Sequence, residues 1–249
     1  MLFEPKSYRN CFSRERFQPF TVQYLDYNLW IGVDPQSYSP QMEAEALKVL
    51  SQKVDELKAY VAEEPFFKKS LKPYPVADNA PASIVEAARA AELAGTGPQA
   101  AKSGLISQLV GESLLASFAP DEMIVENDGD LYLKLRDSLI VSIFADDLED
   151  SGLMGLEILP QQTPLGLGTG TGTKGQPINH SKATAVMMLA PKGAQASALA
   201  VGIGNRVKRA NDLDKVLKHL KLMPEVIAAV FIVDDQIAVH GENELKLIL

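Results

Sequence analysis

The sequence predicts an α+β fold in which antiparallel sheet carries helices on one side. Three observations predict it. Strands come in pairs joined by tight turns, as around Asp26-Tyr27-Asn28 and Asn127-Asp128-Gly129-Asp130. Helical segments stand between the pairs. The order of strand pair, helices and strands then returns at about half length, with no tight sequence repeat. Long alternation of one strand with one helix is missing, which argues against a doubly wound parallel sheet.

Each element has its own signal. Thr21 to Asp26 and Asn28 to Val33 are rich in β-branched and aromatic residues and form a hairpin. Ser39 to Ala62 is a helix, with Pro40 near its start and Ala44, Leu47, Leu50, Val54, Leu57 and Val61 at spacings of three and four. Pro65, Pro73 and Pro75 mark a connector. Ser83-Ile84-Val85-Glu86 has the form of a capping box, and its helix ends near Gly95. Gly97-Pro98 opens another helix with Leu105, Ile106, Leu109, Val110, Leu114 and Leu115 on its apolar face. Strands follow at Met123 to Glu126, Leu131 to Leu135, Leu139 to Phe144 and Leu153 to Leu159. A glycine-threonine loop comes next, then a buried strand over Thr184 to Ala190. Ala194 to Lys208 and Asp212 to Leu220 are helical. Val226 to Val233 and Ile237 to His240 pair around Asp234-Asp235-Gln236, and Leu245 to Leu249 adds an edge strand.

Bulk properties exclude several functions. The 249 residues carry a formal net charge of −8, which disfavours nucleic acid, whose phosphates need concentrated Lys and Arg. The single cysteine, Cys11, allows no intrachain disulfide. No apolar run is long enough for a membrane span or a secretory signal, so the expectation is a cytoplasmic protein.

Gly168 to Gly175 reads GTGTGTKG. Its Gly170-Thr171-Gly172-Thr173-Lys174-Gly175 fits the dinucleotide string, but Gln176-Pro177-Ile178-Asn179 follows instead of a helix start. A phosphate-binding P-loop needs glycine directly before its lysine, and Thr173 stands there. What remains is a loop with many N–H groups, hydroxyls and one ammonium, suited to an anion nest or to a plain connector. Asn127 to Asp130 offers two carboxylates, but a hairpin turn explains its residues without a ligand. Asp146 to Asp150 is a charge run of the solvated kind. Of the three histidines, none with zinc spacing, only His180 lies beside the glycine loop.

Five segments in one order carry a resemblance: Phe3 to Asn10, Gly97 to Ala101, Val125 to Asp130, Thr163 to Gly166 with the following loop, and Gly204-Asn205-Arg206-Val207. This pattern resembles a conserved family of bacterial and archaeal proteins within the ApbE superfamily, over nearly the whole chain. ApbE proteins are FAD:protein FMN transferases, also described as thiamine-biosynthesis lipoproteins, which use FAD and Mg²⁺. The resemblance implies one ApbE-like domain over 1–249. It would be a tandem pair of T-fold-like units, divided at about 1–137 and 138–249. It implies a flavin or nucleotide site formed by Asn127, Gly129, Asp130, Thr163, Thr169, Gly170, Thr171, Gly172, Thr173, Lys174 and His180. T-fold units often associate through sheet edges, so a homo-oligomer is expected.

The chain departs from the pattern at the metal. The superfamily's Asp, and the Thr four residues later, fall on Ser197 and Val201, and a further acidic position falls on Thr184. Valine cannot ligate a cation and serine is a weak replacement for a carboxylate. The expectation is therefore a flavin- or nucleotide-binding protein with a degenerate metal site, which argues against FMN transfer. Two alternatives stand beside it. One is an active enzyme on a phosphate-containing substrate, with Glu126, Asp128 or Asp130 as replacement ligands. The other is a non-catalytic homo-oligomeric module.

Overall fold

The first hairpin pairs β1 (Gln18–Tyr24) with β2 (Tyr27–Val33). Tyr27 is part of the ladder, opposite Tyr24, and the turn is Leu25-Asp26, where Leu25 takes a φ of 51°. The computed structural model describes residues 15–143, 154–170, 181–234 and 236–248.

Helices α1 (Gln41–Glu63), α2 (Pro65–Lys69), α3 (Ala82–Ala94) and α4 (Lys102–Phe118) follow. The three-and-four spacing of α1 buries Met42, Ala46, Leu50, Val54 and Leu57. The expected capping box at Ser83 does not form. Pro81 takes the N-cap position, and Ser83 lies inside the first turn with its hydroxyl donating to Glu56. Proline presets the helix start there, so the serine is free for a tertiary contact. Gly95 ends α3 in the left-handed region at φ 71°, as expected, and Gly95 and Thr96 N–H groups close onto Glu92 and Ala91 carbonyls.

The remaining strands are β3 (Met123–Asn127), β4 (Asp130–Lys134), β5 (Leu139–Ser142), β6 (Met154–Ile158), β7 (Leu165–Gly170), β8 (Ala185–Ala190), β9 (Ala228–Val233), β10 (Gln236–His240) and β11 (Leu245–Leu247). Helix α5 (Gly193–Gly204) ends four residues before the expected Lys208, and α6 is Leu213–Leu220. The strand β7 replaces the first part of the expected loop. Gly166 and Gly168 face α5 there. A Cβ at Gly166 would lie 2.3 Å from Gly193 Cα, and one at Gly168 would lie 2.2 Å from the Ala196 carbonyl oxygen. The alternating glycines are thus a smooth strand surface on which a helix backbone rests.

Eight strands form one antiparallel sheet in the order β1-β2-β3-β4-β7-β8-β9-β10. β4 and β7 meet at its centre through Leu131 opposite Leu167. Each side of that junction reads strand pair, helices, strand pair. One face packs Leu29, Ile31, Val125, Met188 and Phe231 against helix residues such as Leu50, Ile84, Leu105, Ile106 and Leu199. The other face packs Trp30, Ile124, Leu131, Leu167, Met187 and Val230 with Leu156 and Ile158. Those last two belong to β6, in a small sheet of order β11-β6-β5. The helices therefore cover one side, as expected, and three further strands cover part of the other. Leu245 does supply an edge strand, paired to Leu156 in that small sheet.

Candidate functional site

The turn between β3 and β4 is set by local chemistry. Asp128 and Gly129 take φ values of 52° and 90°, the two positive angles that a tight type I′ hairpin requires. Asn127 and Asp130 are opposite partners in the ladder, so their side chains share a face. Strand alternation places both on the helix side, between β4 and the starts of α4 and α5.

Asp130 is buried there among donors. Its Oδ1 accepts from the Thr169 backbone N–H at 2.8 Å, and its Oδ2 lies 2.5 Å from Ser197 Oγ. Ser197 Oγ also lies 2.9 Å from the Ala100 carbonyl oxygen. The serine has one hydrogen for two acceptors. Both contacts are satisfied together when Ser197 donates to Ala100 and Asp130 carries a proton that it donates to Ser197. Burial pushes the Asp130 pKa up to about 7 in the same direction, against the lowering effect of the Ser197 and Thr169 hydrogen bonds. Asn127 Nδ2 donates to the Ser103 carbonyl at 3.1 Å, while its Oδ1 is buried with no hydrogen-bond partner among the described residues.

Lys102 begins α4 and stands over Tyr27, its ammonium 5.1 Å from the ring centroid. Burial lowers the Lys102 pKa, Asp128 pulls it upward and Lys68 downward. Burial, with Asp128 and Asp26, pushes Tyr27 up to about 12. The hairpin tip and the start of α4 thus gather a desolvated ammonium beside carboxylates.

A cavity of about 110 Å³ adjoins this centre, lined by Leu71, Gly95, Thr96, Gly97, Ala100, Val201, Gly202 and Asn205. Ala100 and Val201 connect it to Ser197, since Val201 lies one turn further along α5. Thr96 is 6% exposed, and its Oγ1 has no partner among the described residues. Thr96 lines the cavity, while its hydroxyl oxygen is itself buried and unpartnered, a rare state for a polar group.

Of the residues expected from sequence, Asn127, Gly129, Asp130 and Thr169 come together here. A Cβ at Gly129 would lie 2.9 Å from Thr169 Oγ1. Gly170 closes β7 beside them, whereas Thr171, Gly172, Thr173, Lys174 and His180 lie outside the described residues. Thr163 is not brought to this group. It precedes the cis Thr163-Pro164 bond and accepts from the Leu135 N–H at 3.1 Å, at the opposite end of β4 from Asp130. Thr96, Ala100 and Lys102 are additions. Their signal was the glycine-flanked Thr96 between two helices, which as sequence is only a turn.

The resemblance read from the sequence implies a flavin and a divalent cation. Mg²⁺ needs near-octahedral oxygens, commonly one or two carboxylates plus substrate phosphates. Among the described residues Asp130 is the carboxyl that meets Ser197, with both oxygens engaged; Asp128 stands exposed at the hairpin tip nearby, and Val201 offers only methyl groups. Glu126 is on the opposite face of the sheet, its Oε1 accepting from the Gly129 N–H at 2.8 Å, so it cannot share an ion with Asp130. Among the described residues no three His, Cys, Asp or Glu side chains converge. The described donor set does not fit a divalent cation. The cavity, about 110 Å³, has room for a fragment of a ligand.

Comparison with known proteins agrees with this architecture. The family model described as AbpE bacteria matches residues 9–234. A UPF0280 protein of Methanocella arvoryzae is 34% identical over 186 residues, 75% of each chain. Another from Methanococcus aeolicus is 28% identical over 221 residues, 87% of each chain. The fold is similar to that of the Pseudomonas stutzeri flavinyl transferase ApbE in its apo form, with a TM-score of 0.53 at 14% identity, covering 90% of this chain and 93% of that one. It is also similar to the ApbE protein of Thermotoga maritima, with a TM-score of 0.53 at 11% identity, covering 90% and 96%. Among the described residues no helix is long and apolar enough to cross a membrane. The chain belongs to the AbpE bacteria family and has an ApbE-like fold.

Proposed function

We propose that the protein binds a flavin nucleotide or a related nucleotide where the β3–β4 turn, Thr169, the start of α4 and the Thr96 cavity meet, and that it does not transfer FMN by a metal-assisted route. The observation that carries this reading is the cavity lined by Thr96, Ala100 and Val201, with the unpartnered Thr96 hydroxyl buried beside it. The cavity takes one part of such a ligand. Lys102 supplies the nearby ammonium for its phosphate, in a chain whose net charge is −8. The ApbE-like fold supports a flavin over other nucleotides, because the Pseudomonas stutzeri protein of similar fold is a flavinyl transferase.

Titration with FAD, FMN and AMP, followed by flavin fluorescence or calorimetry, tests this. Saturable binding of at least one is expected, weakened about tenfold by Thr96→Val, which keeps the shape and removes the hydroxyl. No binding of any of the three at high micromolar concentration overturns it. The homo-oligomer expected from sequence has separate support, since β1 and β10 are the two edges of the eight-stranded sheet and Ile237 of β10 is exposed. Light scattering that shows a monodisperse monomer overturns that part.

A further inference from the structure

Three oxygens from distant parts of the chain meet at one point. Ala100 lies in the 3-10 turn Pro98–Ala101 that leads into α4, Asp130 opens β4, and Ser197 lies in the second turn of α5. They are 97 and 67 residues from Ser197 in sequence, and all three residues are at most 5% exposed. A cation that joined the Ala100 and Asp130 oxygens would sit between them, roughly 2.0–2.6 Å from each by the usual geometry of Mg²⁺ and Ca²⁺. Against both of them this protein has the Ser197 hydroxyl oxygen, 2.9 Å from the Ala100 carbonyl and 2.5 Å from Asp130 Oδ2. Asp130 Oδ1 is turned away to the Thr169 N–H. The next α5 residue on this face, Val201, presents methyl groups to the cavity.

We propose that the Ser197 hydroxyl takes the structural place of a divalent cation, tying α5 to the Ala100 carbonyl and the Asp130 carboxyl, so that ligand binding at this junction is independent of such ions. One buried carboxyl beside a divalent ion would leave net positive charge in an apolar surround. A hydroxyl joins the same elements without adding charge. The half of the proposal that concerns ligand binding rests on the nucleotide reading above, while the half that concerns the hydroxyl does not.

The test uses the full chain and Mn²⁺ alone, with bound ion read by electron paramagnetic resonance. The native protein is expected to take up no Mn²⁺ that depends on Asp130 below about 1 mM. Ser197→Asp sets two carboxylates against the Ala100 carbonyl, and Mn²⁺ affinity should rise at least about tenfold. Ser197→Ala removes the tie and should lower the melting temperature by several degrees, with Ser197→Thr restoring most of the loss and Mn²⁺ restoring none. These two variants keep the proposal testable if Ser197→Asp does not fold. Stoichiometric Mn²⁺ binding by the native chain that Asp130→Asn abolishes overturns the proposal. So does FAD binding that strengthens more than about tenfold when Mg²⁺ replaces EDTA. FAD that binds in neither buffer overturns the nucleotide reading alone, and the Mn²⁺ result still decides this one.

Discussion

Ser197 Oγ and Asp130 Oδ2 lie 2.5 Å apart, joining α5 to the β3–β4 hairpin across 67 residues of sequence. The carboxyl in that contact is buried, and its surroundings favour the protonated form.

Stability should therefore depend on pH through Asp130. Its folded pKa is raised to about 7 from an ordinary value of 3.8. The folded state holds the proton more tightly, so the stabilisation is complete below the unfolded pKa and is lost as pH rises toward 7. Asp130→Asn mimics the protonated acid, because its amide can donate to Ser197 while its carbonyl accepts from Thr169. We expect this variant to match the native protein near pH 4 and to exceed it at pH 8 by up to about 4 kcal/mol. Urea denaturation at the two pH values measures the difference. Equal stability of the two proteins at pH 8 would show that Asp130 ionises there without cost.

Gly168→Ala should destabilise the fold by about 3 kcal/mol or more. The added Cβ meets the Ala196 carbonyl at 2.2 Å, and that atom is helix backbone, which has no rotamer to yield. Gly104→Ala should behave alike, because its Cβ would lie 2.1 Å from the Gly193 carbonyl where α4 crosses α5. Denaturation midpoints check both.

Lys102→Met keeps an unbranched stem over Tyr27 and removes the charge. FAD and FMN affinity should fall about tenfold, while riboflavin, which has no phosphate, should bind unchanged. Parallel titrations of the three flavins separate the phosphate contact from ring contacts.

Glu122→Gln should cost about 3 kcal/mol. Glu122 is 1% exposed and receives two hydrogen bonds from Arg16, at 2.6 and 3.1 Å, and two from the backbone N–H groups of Arg136 and Asp137. Burial pushes its pKa upward, but Arg16 and those N–H groups outweigh it and hold the pKa below the ordinary value. Its stabilisation is present above the unfolded pKa and is lost as pH falls through the folded one. Acid denaturation of the native protein should lose this advantage over the variant below about pH 4.

Much of the fold was legible where its cause is local. Asn127-Asp128-Gly129-Asp130 encodes its turn within four residues, since only such residues accept two successive positive φ angles readily. The period of α1 likewise shows which side it buries. Ser83 misled because a capping box and a tertiary hydroxyl contact share the same letters. The strand β7 was hidden because its inward residues are glycines, so no apolar alternation on the helix side announces it.

By itself the sequence determined the α+β class and the main hairpin, and its resemblance puts Ser197 and Val201 where metal-site residues are expected. Tertiary structure decided what surrounds those residues. It set Ser197 against Asp130 and Ala100, sent Glu126 to the other face of the sheet, kept Thr163 at the far end of β4, and opened a cavity beside Thr96. The reason is the range of the causes. Turn and helix signals act over a few residues. The protonation of a carboxyl and the service of a glycine depend on burial by elements that only folding brings together.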